Sequence, residues 1–139
     1  MNANIEGLTT IPARFTVSET MSRLDAEIRA QGMQVFARID HAAAAAEVGL
    51  TLAPTALIIF VHARAGTPLM QISQTAGIDL PMKALVWQDA AGRPWLSYNE
   101  PSGIAQRHGV GADGEAVIQR MAAALSSLAR KATEAAQPV

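Results

Sequence analysis

MKALVWQDAAGRPWLSYN, residues 82–99, decides the fold, because its side chains alternate in type on both sides of a central Ala-Ala-Gly. A three-residue loop with Gly92 in the left-handed conformation predicts a β-hairpin in which Trp87 faces Trp95. Side chains alternate across a strand, so one face carries both tryptophans. The other pairs on that face are Leu85 with Ser97, Lys83 with Asn99, and Asp89 with Arg93. The opposite face is suited to packing beneath helices: Met82, Ala84, Val86, Leu96 and Tyr98.

The tryptophan-bearing face requires a cover, because a covered tryptophan buries about 150–250 Å² and a monomer rarely leaves a pair in water. Three covers are consistent with the sequence: the chain's own short helices, a second copy of the chain, or a bound small molecule. In a small-molecule site, Lys83 would be a base, an anion clamp or a Schiff-base amine. Otherwise Lys83 is an exposed lysine that protects a sheet edge.

Three more strands are predicted outside the hairpin. Leu8 to Arg14 forms the first, and Pro12 favours the edge of the sheet or a bulge for it. Met33 to Asp40 alternates strictly, which predicts a half-buried strand with Met33, Val35, Ala37 and Ile39 on one face. Thr55 to His62 is almost wholly apolar, which is typical of a central strand covered on both faces.

Two long helices are predicted from their apolar stripes and caps. The first follows a capping box of Thr16 and Glu19, buries residues between Val17 and Ile28, and ends at Gly32. The second starts near Asp113 and buries residues between Val117 and Leu128. Basic residues lie at its C-terminal end, where they complement the helix dipole.

Three short helices are predicted from paired start and stop signals. Asp40, Thr67 and Glu100 are the N-terminal signals, and Gly49, Gly77 and Gly109 are the left-handed stops. For the middle helix, Thr67 is the predicted cap, Pro68 the first helical residue, and Ile78 folds back on Ile72.

The predicted order, β-α-β-(short α)-β-(short α)-β-β-(short α)-α, describes an α+β domain. We expect one mostly antiparallel sheet with both long helices on one face. We also expect a single domain over residues 1–139, with the C-terminal helix at about 113–132 and a frayed tail after about 133.

Composition excludes several classes of protein. The 139 residues contain no cysteine and carry a formal net charge of −1, which argues against disulfide or thiolate chemistry and against nucleic-acid binding. The longest apolar run is far shorter than the roughly 20 residues of a membrane span. His41, His62 and His108 lack the spacing of metal ligands on a helix. We therefore expect a soluble cytoplasmic protein without metal, cofactor, nucleic-acid or membrane partner.

Four long segments resemble one family, the bacterial and archaeal domain of unknown function 302. They are VFARIDHAAAAAEVGL (35–50), PTALIIF (54–60), AGTPLMQISQTAGIDLPMKALVWQD (65–89) and WLSYNEPSGIAQRHGV (95–110). The resemblance covers about residues 7–110. It implies a β-α-β4-α arrangement like that of the TATA-box-binding protein, often as a homodimer, and implies little about activity. The alanine run Ala42–Ala46 departs from the family, in which a glycine usually interrupts it.

These observations favour a homodimer that binds a small apolar or anionic ligand. An enzyme that uses Lys83, His41 and Asn99 on a small molecule is the first alternative. A purely structural interaction domain is the second. The candidate binding residues are Asp40, His41, Thr67, Lys83, Trp87, Trp95 and Asn99.

Overall fold

The structure, a computed structural model, describes residues 5–134. Five strands form one sheet in the order β1-β5-β4-β3-β2, and all neighbours are antiparallel. The strands are β1 (Leu8–Pro12), β2 (Gln34–Asp40), β3 (Thr55–Val61), β4 (Met82–Gln88) and β5 (Pro94–Asn99). The first strand lies at an edge, as its proline predicts, and β4 is the middle strand.

Two long helices cover one face of this sheet, as the sequence predicts. α1 (Val17–Ala30) packs on β2, β3 and β4, and α5 (Glu115–Thr133) packs on α1, β1 and β5. Thr16 caps α1 by accepting a hydrogen bond from the backbone N–H of Glu19. The core between the layers is aliphatic, and its fully buried members include Leu24, Ile28, Ile58, Phe60, Val86, Leu96 and Leu128.

The hairpin has the predicted register. Trp87 pairs with Trp95 and Leu85 with Ser97, and Gly92 has φ 84° in the three-residue loop. The pairing runs from Ala84 to Gln88, so Lys83 lies one position beyond its last pair. On the other face of the hairpin, Ala84, Val86 and Leu96 are buried in the core beneath the helices. The tryptophan-bearing face is therefore the face away from α1 and α5.

Strict alternation along β2 was a wrong prediction. A bulge lies between Val35 and Ala37, where Phe36 is the extra residue and has no partner in β3. An extra residue reverses the phase of a strand, so Val35 packs against the core whereas Ala37 and Ile39 lie on the opposite face. The bulge also directs Arg38 towards α1, where its Nη1 lies 3.4 Å from Asp25 Oδ2.

The prediction for the middle short helix was also wrong. α3 (Ala63–Ile72) begins after His62, so Thr67 and Pro68 lie inside it. Gly77 belongs to a separate 3₁₀ turn, Gln74–Ile78, and has no left-handed φ. Ile78 is 74% exposed and so does not cover Ile72. The Thr-Pro pair resembles a helix start, but α3 continues upstream of it to Ala63, and Ala65 and Leu69 pack in the core.

The other two short helices follow their predicted caps. α2 (His41–Glu47) begins where Asp40 Oδ1 accepts the Ala43 N–H at 2.9 Å, and its stop residue Gly49 has φ 76°. α4 (Pro101–Arg107) follows Glu100, and its stop residue Gly109 has φ 63°.

Between residues 5 and 134, no helix combines the length and apolar character needed to cross a bilayer. The long C-terminal helix starts at Glu115, after a 3₁₀ turn at Ala112–Gly114. The predicted frayed tail lies almost wholly outside the described residues.

Candidate functional site

The sheet face away from the long helices, here called the open face, is apolar and incompletely covered. β3 was expected to be covered on both faces, but only Ile58 and Phe60 are fully buried, while Leu57 and Ile59 are half-buried. Leu57 pairs with Leu85 of β4, so their side chains lie side by side on the open face. The apolar run in β3 therefore indicates a surface that is available for a partner or a ligand.

A cavity of about 410 Å³ lies on the open face. Trp87, Leu85 and Leu57 form its apolar floor, and Ile5 and Leu8 line it from the first strand and the residues before it. Its polar lining residues are Thr10, Lys83, Ser97 and Asn99. A cavity of this size and lining, with few polar groups, is typical of a site for a small organic molecule.

The two tryptophans form a stacked pair beside this cavity. Their ring centroids are 6.3 Å apart and their planes are inclined by 25°. Trp87 Nε1 donates to Ser97 Oγ at 2.9 Å, and that hydroxyl lies 2.8 Å from Thr10 Oγ1. Trp95 Nε1 donates to Asp89 Oδ2 at 2.8 Å. Because both indole N–H groups have partners in the chain, the half-buried rings present mainly apolar surface to an additional molecule.

Asp89 fixes one end of the tryptophan pair. It accepts hydrogen bonds from the Trp95 indole and from the backbone N–H groups of Ala91 and Arg93. These donors, led by the Trp95 indole and then Arg93, hold the pKa of Asp89 below its usual value. The carboxylate thereby holds the hairpin loop and the Trp95 ring in a fixed relative orientation.

Lys83 and Asn99 supply the polar end of the cavity. Lys83 belongs to the middle strand and is half-buried, so the alternative of an exposed lysine at a sheet edge is wrong. Its Nζ donates to the Pro81 carbonyl at 3.3 Å, and it forms no ion pair with any of residues 5–134. The ammonium group can therefore receive an anionic group of a ligand.

The other candidate residues lie elsewhere. His41 is exposed in the first turn of α2 and is absent from the lining of the open-face cavity, so it does not join Lys83 and Asn99. Asp40 caps α2 and faces a different cavity, next to α1. Thr67 lies at a third cavity, behind the sheet. The structure thus unites Lys83, Trp87 and Asn99 at one cavity, with Trp95 stacked beside Trp87.

A polar cluster that the sequence analysis missed joins the 3₁₀ turn to the end of α4. Asp79 Oδ2 lies 2.6 Å from His108 Nε2, and both carboxylate oxygens lie 3.1 Å from Arg107 Nη1. Because an ionised carboxylate only accepts, Nε2 carries a proton. When the ring is neutral, Nδ1 accepts from Thr75 Oγ1 at 2.9 Å. Both ring nitrogens of His108 form hydrogen bonds, so this cluster links the 3₁₀ turn to the end of α4.

The negative charge on Asp79 should stabilise this link between the 3₁₀ turn and α4. The hydrogen bond from His108 is the main cause that lowers the pKa of Asp79, and the Arg107 charge contributes; burial opposes both. A carboxylate whose pKa is lower in the folded protein stabilises the fold at pH values above its unfolded-state pKa of about 3.9. This stabilisation is lost as the pH falls through the pKa of the folded state.

Asp79→Asn is therefore expected to lower the free energy of unfolding by about 1 kcal/mol at pH 7. Urea titrations at several pH values should show this difference shrinking below about pH 4, since the wild-type carboxylate then also becomes neutral. Asp113→Asn, at an exposed position, is the matched control and should change little. A difference that stays constant with pH would contradict the role of the charge.

Large apolar side chains project around α2. Val48 and Leu50 are 72% and 65% exposed. Ile39, also exposed, pairs with Leu57 and so continues the open face towards α2. Exposed apolar side chains that form a continuous patch are typical of protein interaction sites.

Comparison with known proteins gives one family and one fold. The family model described as "Domain of unknown function DUF302" matches residues 9–128. A crystal structure of an uncharacterised conserved protein DUF302 from Bacillus stearothermophilus superimposes with a TM-score of 0.82 at 17% identity, covering 92% of this chain and 99% of that one. At this identity the likeness supports the fold alone.

Two curated relatives are longer proteins. "Fluoride-specific ion channel FluC 1" of Brucella suis biovar 1 is 47% identical over 115 residues, which are 83% of this chain and 45% of that protein. The protein of the same name from Brucella abortus biovar 1 is also 47% identical over 115 residues, and 43% of its length is covered. The chain thus spans less than half of the curated relatives that it matches.

Proposed function

The chain belongs to the family described as domain of unknown function DUF302, and we propose that it is a homodimeric domain that binds a small amphipathic anion on the open face. The observation that carries this proposal is the cavity of about 410 Å³, which has an apolar floor of Trp87, Leu85 and Leu57 and a polar end at Lys83 and Asn99. A carboxylate with a short aliphatic or aromatic tail matches both ends.

The proposed anion preference rests on Lys83. Its ammonium lies in the cavity lining and forms no ion pair among residues 5–134, although its charge acts on the Asp79 carboxylate, which His108 and Arg107 already bind; Asn99 offers amide donors nearby. Charge-assisted hydrogen bonds to a carboxylate are stronger than neutral ones. The tail would cover Trp87 and Leu57, whose apolar surface is otherwise in water.

A second copy of the chain is the proposed cover for the rest of the open face. The face continues from Trp95 across β4 and β3 to Ile39, and the exposed Val48 and Leu50 follow the end of α2, which packs on β3. A ligand site at the edge of such an interface would be shielded from water by both copies. The cytoplasmic location, the single-domain organisation and the other binding candidates remain predictions from the sequence.

Fluoride transport is not part of this proposal. The name "fluoride-specific ion channel" belongs to longer proteins, and the segment that matches this chain covers 45% of one and 43% of the other. The open-face cavity is lined by large apolar side chains, which suit an organic ligand better than a small hydrated ion.

Titration with octanoate, followed by tryptophan fluorescence, tests the ligand proposal. Wild-type protein should bind octanoate more tightly than octanol, and Lys83→Met should weaken octanoate binding by about tenfold or more while octanol binding is retained. Lys131→Met, on the surface of α5, is the charge-matched control and should bind as wild type does. Equal binding of acid and alcohol by wild-type protein would contradict the anion preference.

The same titration separates the two alternatives. Conversion of a bound compound, seen by mass spectrometry and lost in Lys83→Met, would favour the enzyme. Absence of any ligand effect in a dimer that covers both tryptophans would favour the structural interaction domain.

A further inference from the structure

A chain of hydrogen bonds runs along the open-face cavity from Trp87 to the first strand. Trp87 Nε1 lies 2.9 Å from Ser97 Oγ, which lies 2.8 Å from Thr10 Oγ1, and all three residues line the cavity. Thr10 and Ser97 are paired residues of β1 and β5, so both side chains lie on the open face. Resting on the anion site proposed above, we propose further that the Thr10 hydroxyl donates to the tail of the ligand, and that the ligand is an oxo acid, a carboxylate with a carbonyl group in its tail.

The three groups of this chain carry one proton more than they accept among themselves. The indole N–H and the two hydroxyls are three donors. They form two hydrogen bonds, and neither hydroxyl has a further partner among residues 5–134. One hydroxyl proton is therefore left for an acceptor from outside this part of the chain.

Burial assigns this proton to Thr10. Ser97 is only 4% exposed, and an unpaired donor in a buried place is unfavourable. The Ser97 hydroxyl therefore donates to Thr10 Oγ1 while it accepts from Trp87. Thr10 is half-buried and lines the cavity, so its own proton can reach an acceptor there.

The strand register sets the distance between the two polar ends of the ligand. Thr10 pairs with Ser97 and Leu8 pairs with Asn99, so Thr10 and Asn99 are diagonal neighbours with Cα atoms about 7–8 Å apart. Asn99 and Lys83 form the end of the cavity where the carboxylate is proposed to bind. A carbonyl roughly four to five bonds along the tail would then lie near Thr10.

A carbonyl group satisfies the remaining donor without adding another. A plain aliphatic tail would cover the Thr10 hydroxyl and leave its proton without a partner, which is unfavourable. A hydroxyl on the tail would bring a proton of its own, whereas a carbonyl only accepts. The neighbouring side chains of Leu57, Leu85 and Trp87 offer no acceptor for such a proton.

Two acids of equal chain length test the carbonyl. Wild-type protein and Thr10→Val are titrated with octanoate and with 5-oxooctanoate, followed by tryptophan fluorescence. Thr10→Val removes the hydroxyl and nearly conserves the size of the side chain. It should weaken binding of 5-oxooctanoate about tenfold, while octanoate binds at least as tightly as it binds wild-type protein. An acid with its carbonyl beyond Thr10, 7-oxooctanoate, should show no such loss.

Thr55→Val is the control variant. Thr55 pairs with Trp87 and so lies on the same face, but its hydroxyl donates to the Ala53 carbonyl at 2.9 Å and it does not line the cavity. Both acids should bind this variant as they bind wild-type protein.

The outcomes distinguish the oxo-acid ligand from the anion site itself. Equal losses for both acids in Thr10→Val, or no loss for 5-oxooctanoate, would overturn the oxo-acid ligand while the anion site stands. Failure of wild-type protein to bind either acid would overturn both. Retained binding of octanoate by Thr10→Val shows that this variant is folded and that its cavity is intact.

Discussion

Trp95→Ala is expected to weaken dimerisation at least about thirtyfold, because a central aromatic anchor often contributes 2 kcal/mol or more to an interface. Trp95 stacks on Trp87 with ring centroids 6.3 Å apart, and its half-buried ring lies on the open face, where we propose that the second copy packs. Sedimentation velocity over a range of protein concentrations measures the dissociation constant.

The folding of this variant must be measured beside its association. Truncation of Trp95 should lower the free energy of unfolding of the monomer by about 0.5–1.5 kcal/mol for the lost aromatic pair, and further for the lost hydrogen bond to Asp89 and the lost burial of half the ring. Ile78→Ala removes an apolar side chain that is 74% exposed and does not line the open-face cavity, and it should leave association unchanged. If the wild-type protein sediments as a monomer at high concentration, the proposed dimer is wrong. The proposed ligand site would then still be tested independently by the octanoate titration.

Phe60→Ala is expected to destabilise the fold by about 3–5 kcal/mol, since it removes a fully buried aromatic side chain from the core. Phe60 is 0% exposed and lies on the face of β3 that packs beneath the helices. Chemical denaturation, monitored by circular dichroism, gives the difference from wild type.

Phe36→Ala is the matched control for this prediction. The same residue type, 72% exposed at the β2 bulge, should change the free energy of unfolding of the monomer by about 0.5 kcal/mol or less. Similar losses in both variants would contradict the assignment of the two sheet faces.

The sequence by itself determined the elements whose signals are local. The hairpin register follows from the alternation around Ala90–Gly92, and the start of α1 follows from the hydroxyl of Thr16. The element order predicted from these signals agrees with the β-α-β4-α order that the family resemblance implies, and the structure confirms it. Strand alternation is also a local signal, and it predicted that one face of the hairpin carries Lys83, Trp87, Trp95 and Asn99.

Only the tertiary structure decided the features that depend on distant contacts. The bulge at Phe36 reverses the faces of β2, and nothing in its alternating pattern marks the extra residue. Thr67 resembles a cap, yet α3 begins upstream because packing outweighs a local signal. Asp79 and His108 are 29 residues apart and meet only when the 3₁₀ turn packs on α4. In each case, the energy that decides the outcome comes from residues that are neighbours in space and not in sequence.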